Sequence, residues 1–345
     1  MERLAVVSQL IEKLLRGDRR ALARLLTLLE KDAETTASIM RAIYPRVGSA
    51  YVIGVTGPPG AGKSTIVDGL IQVMRGLQAT VGVLAVDPTS PFSGGAVLGD
   101  RIRLQRHYLD TGVFIRSVAT RGAHGGLSPV ASAAVKLLDA FGNDVVIVEP
   151  VGVGQTELDI IRVADTVVVV LVPEAGDGVQ AMKAGLLEIA DVVVVNKSDR
   201  QGADRLAAAV RATLRLNDYK ARWRPPVLLT QAHKGEGIQA LYDTILEHRN
   251  ALEATSDLER RRGLRHRQEF ARALEEAIQA RIRGLMSQDG ALGALAARVE
   301  YGEVDPYSAA AQALEDDRVF SQLAQALQGQ PDTRLDAGGL RRAET

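Results

Sequence analysis

Residues 51–65 read Tyr51-Val52-Ile53-Gly54-Val55-Thr56-Gly57-Pro58-Pro59-Gly60-Ala61-Gly62-Lys63-Ser64-Thr65. A short apolar run rich in β-branched residues leads into a glycine loop, and a helical pattern over 66–74 follows. Gly, four residues, Gly, Lys and then Ser or Thr is the pattern of a loop that wraps phosphate. Glycines let backbone N–H groups turn inward as an anion nest, and the next helix adds the positive end of its dipole. Lys63 is placed to reach β- and γ-phosphates, and the Ser64 hydroxyl to bind Mg²⁺. Gly57, Pro58, Pro59, Gly60, Ala61, Gly62, Lys63, Ser64 and Thr65 are the candidate phosphate-binding residues.

Working outward, valine- and isoleucine-rich runs at 51–55, 81–86, 113–117, 145–148, 166–172, 191–195 and 227–229 alternate with helical patterns. Several are apolar at consecutive positions, as strands covered on both faces are. The alternation predicts an α/β domain with a doubly wound, mostly parallel sheet over 49–252. Residues 1–48 read as helical: Val7, Leu10, Ile11 and Leu14 recur at helical steps, Asp18 suits an N-cap, and Pro45 ends the zone. Residues 253–328 read as helical again. Phe270, Leu274, Ala277, Ile278, Ile282 and Leu285 form an apolar seam, and Asp305-Pro306 an N-cap followed by a first helical residue. Residues 329–345 are polar, with the composition of a disordered tail.

Composition excludes several functions. Forty-two basic residues balance 42 acidic ones and aromatics are 4%, which argues against nucleic acid as a partner. There is no cysteine, hence no disulfide, thiolate metal site or cysteine nucleophile. The five histidines, His107, His124, His233, His248 and His266, show no paired metal-ligand spacing and are expected on the surface or in loops. The cluster Arg260, Arg261, Arg262, Arg265 and Arg267, bracketed by Glu259 and Glu269, reads as a solvated helix face. No apolar run is long enough for a membrane span and the N-terminus is no signal peptide, so a cytoplasmic location without membrane attachment is expected.

Mg²⁺ calls for a carboxylate beyond the loop. Asp87, Asp100 and Glu149 lie at or just past strand ends, where open α/β sheets place ligands. Glu149-Pro150-Val151-Gly152 sits where a γ-phosphate-sensing switch would lie, with Gln155 and Glu157 following. Asn196-Lys197-Ser198-Asp199, directly after the 191–195 run, has the Asn-Lys-x-Asp form used by GTPases. An aspartate accepts from guanine N1–H and the 2-amino group, whereas adenine leaves it unpaired, and such mismatches discriminate strongly. The lysine stem can pack along the purine, and Asn196 can brace neighbouring loops.

Further segments carry a family resemblance: 86–95 (Val-Asp-Pro-Thr-Ser-Pro-Phe-Ser-Gly-Gly), 98–101 (Leu-Gly-Asp-Arg), 119–122 with 125–128, 149–155 (Glu-Pro-Val-Gly-Val-Gly-Gln), 176–183 and Asp305-Pro306-Tyr307. The chain resembles the methylmalonyl-CoA mutase-associated GTPases, the MeaB or ArgK type, over most of its length. The resemblance implies a P-loop GTPase that is homodimeric through a C-terminal helical arm and Mg²⁺-dependent. Its partner would be an adenosylcobalamin-dependent acyl-CoA mutase, chaperoned through cofactor loading, protection or reactivation. Cobalamin would stay with the mutase and not bind this chain directly. Carried over by position, Lys63, Ser64, Asp87, Asp100 and Glu149 would form the phosphate and magnesium site. Asn196, Lys197 and Asp199 would bind guanine; Gly152, Asp177, Gln180 and Lys183 would couple nucleotide state to the partner. Lys63, Glu149, Gln155 and Lys183 are the candidates for a part in hydrolysis.

Two departures stand out: Ala123-His124 replaces the family's usual pair before the double glycine, and Thr230-Gln231-Ala232 stands where GTPases usually carry Ser-Ala. An Ala232 N–H reaching the guanine oxygen would make Gln231 tolerable. A nickel metallochaperone would call for histidine-rich or cysteine metal motifs, and a P-loop kinase for an acceptor site. A module that holds nucleotide without turnover is the remaining alternative.

Overall fold

The computed structural model describes residues 2–30, 33–87, 104–119, 129–150, 157–173, 185–216 and 223–328. Each of the seven apolar runs forms a strand: β1 (Tyr51–Thr56), β2 (Val81–Asp87), β3 (Val113–Ala119), β4 (Val145–Pro150), β5 (Thr166–Leu171), β6 (Val192–Val195) and β7 (Val227–Leu229). All pair in parallel, in the order β3-β2-β4-β1-β5-β6-β7. The unbroken valine runs are explained by their two faces. Val167, Val169 and Leu171 enter one apolar core, while Val168 and Val170 enter the other. Each fully buried Val, Leu or Ile contributes about 1.5–3 kcal/mol, which favours apolar residues on both faces.

One face is covered by α1 (Glu2–Leu15), α2 (Arg19–Leu29), α3 (Ala33–Ile43), α5 (Pro129–Ala140) and α6 (Ala203–Leu216), the other by α4 (Lys63–Gly76) and α7 (Ile238–Ala254). Asp18 caps α2 as its sequence position implies: its carboxylate accepts from the N–H groups of Arg20 and Ala21, and Leu22, Leu25, Leu26 and Leu29 are buried. Pro45 stands in the short 3₁₀ turn Tyr44–Arg46 that ends the helical zone.

The strand order places the site. From β1 the chain leaves through α4 on one face towards β2, and from β4 it returns under the other face towards β5. The adjoining C-terminal ends of β1 and β4 are where these connections part, the position at which open α/β sheets bind ligands.

At the opposite end of the strands, Arg261 and Arg262 depart from the solvated face that the charge pattern predicts, while Arg260 and Arg267 are exposed as expected. The helix α8 (Asp257–Met286) begins with Leu258 buried, and Arg262 is tied to Asp165 and to the carbonyls of Gly48 and Ala50. Asp139 takes the N–H groups of Gly48, Ser49 and Ala50 from the other side. The segment entering β1 is thus gripped at both its donors and its acceptors. Arg261 binds Asp191 at 3.1 Å.

The chain divides into two compact units, Met1–Arg262 and Gly263–Thr345. In the second, the rest of α8 is followed by α9 (Ala291–Glu300), α10 (Pro306–Glu315) and α11 (Asp317–Gln328), with Leu292, Ala309 and Val319 buried. Asp305 caps α10 with Pro306 as its first residue, as expected. The expected disordered tail, 329–345, lies outside the described residues.

Candidate functional site

The loop after β1 turns through three glycines with positive φ: Gly57 at 138°, Gly60 at 75° and Gly62 at 88°. Two of them have no room for a side chain. A Cβ on Gly57 would strike the Val170 carbonyl oxygen of β5, and one on Gly62 the Asn196 amide. The loop is therefore pressed against the ends of β5 and β6, and α4 starts at Lys63 with its first N–H groups towards the loop.

Lys63 is buried and its ammonium donates to the carbonyls of Gly57 (2.6 Å) and Pro58 (3.2 Å). The cation is thereby held at the mouth of the anion nest. The Ser64 hydroxyl donates to Glu149 Oε1 at 2.7 Å, and Glu149, at the end of β4, is only 2% exposed. These residues are 85 positions apart in the chain and meet because β1 and β4 are neighbours. Asp68, one turn beyond Ser64 on α4, accepts from Arg106 and bonds His107 Nε2 at 2.9 Å. That histidine is buried against a carboxylate and is no surface residue, and burial pushes its pKa down. His248 also departs from the surface expectation: it is fully buried, with Nδ1 2.8 Å from Thr166 Oγ1.

Asn196 is the junction of the site. Its Nδ2 donates to the Ala61 carbonyl at 2.9 Å, and its Oδ1 accepts from Thr230 Oγ1 (3.0 Å) and from the Ala232 N–H (3.1 Å). One buried side chain thus joins the phosphate loop to the 230–232 loop, the bracing role its position suggested. Lys197 adopts a positive φ of 56°, and Asp199 is exposed beyond it. Ala232 N–H is engaged by Asn196, and the Gln231 side chain accepts from Lys234 Nζ at 2.8 Å.

Asp87 ends β2, two strands from β1, and its side chain is outside the described part. Asp100, Gly152, Gln155, Asp177, Gln180 and Lys183 lie outside the described residues altogether. Among the described residues no group of three or more His, Cys, Asp or Glu is placed to hold a metal. The group sequence reading passed over is Glu157, noted only as a loop residue. It is buried, its Oε1 has no hydrogen-bond partner among the described residues, and burial pushes its pKa up against the opposing pull of Lys63.

This geometry joins the glycine loop, a hydroxyl–carboxylate pair and the 230–232 loop at one end of a parallel sheet. Residues 22–287 match the sequence profile described as methylmalonyl Co-A mutase-associated GTPase MeaB. The chain belongs to the MeaB family. Like its relatives, this MeaB-family protein is a GTPase with a P-loop fold. It is 50% identical over 314 residues to a candidate GTPase of Pyrococcus abyssi, covering 90% of this chain and 97% of that one. With the GTPase ArgK of Escherichia coli it shares 37% identity over 265 residues, 74% of this chain and 80% of that one. The mouse methylmalonic aciduria type A homolog, mitochondrial, is 33% identical over 279 residues, 76% of this chain and 67% of that one. The crystal structure of an LAO/AO transport system kinase matches with a TM-score of 0.66 at 27% identity, covering 94% of this chain and 98% of that one. Among the described residues of this MeaB-family GTPase, no helix is long and apolar enough to cross a membrane.

Proposed function

We propose that this MeaB-family GTPase couples Mg²⁺-dependent GTP hydrolysis to the chaperoning of an adenosylcobalamin-dependent acyl-CoA mutase, such as methylmalonyl-CoA mutase. The observation that carries this is the family match over residues 22–287, whose description names association with that mutase. The name of the mouse relative, which refers to methylmalonic aciduria, supports the same client chemistry.

In this reading Gly57–Thr65 cradles the phosphates and Lys63 neutralises them. Ser64 and Glu149 fit Mg²⁺: they offer two hard oxygens 2.7 Å apart beside the phosphate loop. Mg²⁺ commonly takes one or two carboxylates, phosphate oxygens and retained waters. Asp87 and Asp100 would complete the set, and bound Mg²⁺ would offset the negative charge of the phosphates. Asp199 reads guanine and Lys197 packs on the purine. Ala232 N–H would reach a base oxygen only by sharing or releasing its bond to Asn196. Gly152, Gln155, Asp177, Gln180 and Lys183 would transmit nucleotide state, and cobalamin would remain on the mutase. The protein would act in the cytoplasm as a homodimer through the region 253–328. Phe270, at 68% exposed, and Leu274, at 48%, present part of the apolar seam that a second copy would cover.

The test is GTP turnover of wild type and Lys183→Ala, each with and without an adenosylcobalamin acyl-CoA mutase. Slow basal hydrolysis, stimulation of wild type and weak stimulation of the variant are expected. Absence of stimulation of wild type by any such mutase would remove the chaperone role and leave a GTPase alone.

A further inference from the structure

Glu157 stands near the end of β1 with a buried oxygen that no described residue satisfies. Its carbonyl accepts from Thr56 Oγ1 at 3.2 Å, and Thr56 is the last residue of β1, directly before Gly57. The Lys63 ammonium, held on the carbonyls of Gly57 and Pro58, favours the ionised form of the Glu157 carboxyl. Glu157 is 7% exposed, and its Oε1 is buried without a hydrogen-bond partner among the described residues. Buried polar atoms are satisfied in the great majority of cases, and an exception in a functional site calls for a missing partner such as water.

The two glutamates near the loop differ in just this respect. Glu149 Oε1 already receives the Ser64 hydroxyl. Among the described residues no donor meets Glu157 Oε1, and burial raises its pKa while Lys63 favours its ionised form. The charged groups of the turn that follows, Asp159 and Arg162, pair with each other at 2.6 Å.

We propose that Glu157 is a catalytic carboxylate for the hydrolytic water, which its Oε1 holds by accepting a hydrogen bond beside the loop that follows Thr56. This rests on the reading of residues 57–65 as the phosphate site. The water oxygen bonds to the γ-phosphorus as the bond from that phosphorus to the β–γ bridging oxygen breaks. The electron pair of the broken bond leaves with GDP. The water's proton passes to the Glu157 carboxylate and then to the released phosphate. A carboxyl with a raised pKa suits that transfer, since efficiency is greatest when the acceptor's pKa approaches the working pH.

The experiment uses the full chain with GTP as substrate and GDP as binding probe. Glu157→Gln keeps the size and removes the proton acceptor. Its kcat should fall by about 10²-fold, with GDP affinity within about twofold of wild type. The acid limb of the wild-type kcat–pH profile should be absent from the Gln variant. Glu157→Asp, which keeps a carboxyl at shorter reach, should give an intermediate kcat with the limb retained. Wild-type kcat in Glu157→Gln, an acid limb that persists in it, or a loss of GDP affinity matching the loss of kcat would each overturn the proposal. Should the Gln variant not fold, an Asp variant without the limb would do the same. Lys63→Ala separates the two readings: GDP binding unchanged by that substitution would refute the phosphate site itself, whatever Glu157 does.

Discussion

Arg262 donates to both carboxylate oxygens of Asp165, at 2.6 Å to Oδ2 and 3.1 Å to Oδ1, across 97 positions of sequence. Asp165 is fully buried and also accepts the Val52 N–H at 3.0 Å, so the pair ties α8 to the entry of β1 and β5. Burial opposes the guanidinium charge, but the bonds to Asp165 outweigh it and hold the Arg262 pKa up. Removing one member of a buried pair leaves the other charge uncompensated, at a cost of about 3–5 kcal/mol. Arg262→Met is expected to lower unfolding free energy by that order in urea titration. A change below about 1 kcal/mol, the range of exposed pairs, would show that the clamp contributes little.

Asn196→Ala should unfasten the phosphate loop from the 230–232 loop. Three groups lose a partner, the Ala61 carbonyl, the Thr230 hydroxyl and the Ala232 N–H. Each buried group left unpaired costs on the order of 1–3 kcal/mol, so stability and GDP affinity should fall together. Calorimetric GDP binding unchanged from wild type would show that the brace does not serve the site.

Asp199→Asn tests the base. An amide can donate to the 2-oxo group of xanthine where a carboxylate accepts from guanine, so GTP should weaken and xanthosine triphosphate strengthen. Discrimination of this polar kind reaches roughly 10⁴-fold in favourable sites. Competition binding with both nucleotides gives the answer, and an unaltered preference for GTP would remove Asp199 from guanine recognition.

Asp191 makes stability depend on acid. Burial pushes its pKa up, but His248, Arg261 and the Val167 N–H outweigh burial and leave it below the ordinary 3.8. A carboxyl lowered in the folded state contributes stability that is complete above its unfolded pKa and is lost as pH falls through the folded value. The penalty of Asp191→Asn should therefore be full at pH 6 and shrink below about pH 3.8. Urea unfolding of both proteins at pH 6 and pH 3 measures this. An equal penalty at both would mean that the charge on Asp191 is not what stabilises.

The phosphate loop, the Asn-Lys-x-Asp segment, the seven strands and the caps at Asp18 and Asp305 were legible in the chain itself. Each depends on residues close in sequence: glycines that permit positive φ, an oxygen side chain before a helix, valine runs covered on both faces. Arg261, Arg262, His107 and His248 were misread for the opposite reason, whereas Arg260, Arg267, His233 and His266 are exposed as expected. Arg261 and Arg262 look like any solvated charge run until Asp191 and Asp165 arrive beneath them. His248 has no local feature that marks it as buried beside Thr166.

The sequence by itself determined the fold class and the conformation of the glycine loop after β1, because backbone conformation and hydrophobic periodicity act over a few residues. Only the tertiary structure decided which charges are paired and which are stranded. The parallel order of β4 beside β1 brings Glu149 to Ser64, 85 positions away, while Glu157 is buried with an oxygen unmatched among the described residues. Desolvation and Coulomb interaction depend on distance through space and on what excludes water, and neither is written in the spacing of residues along a chain.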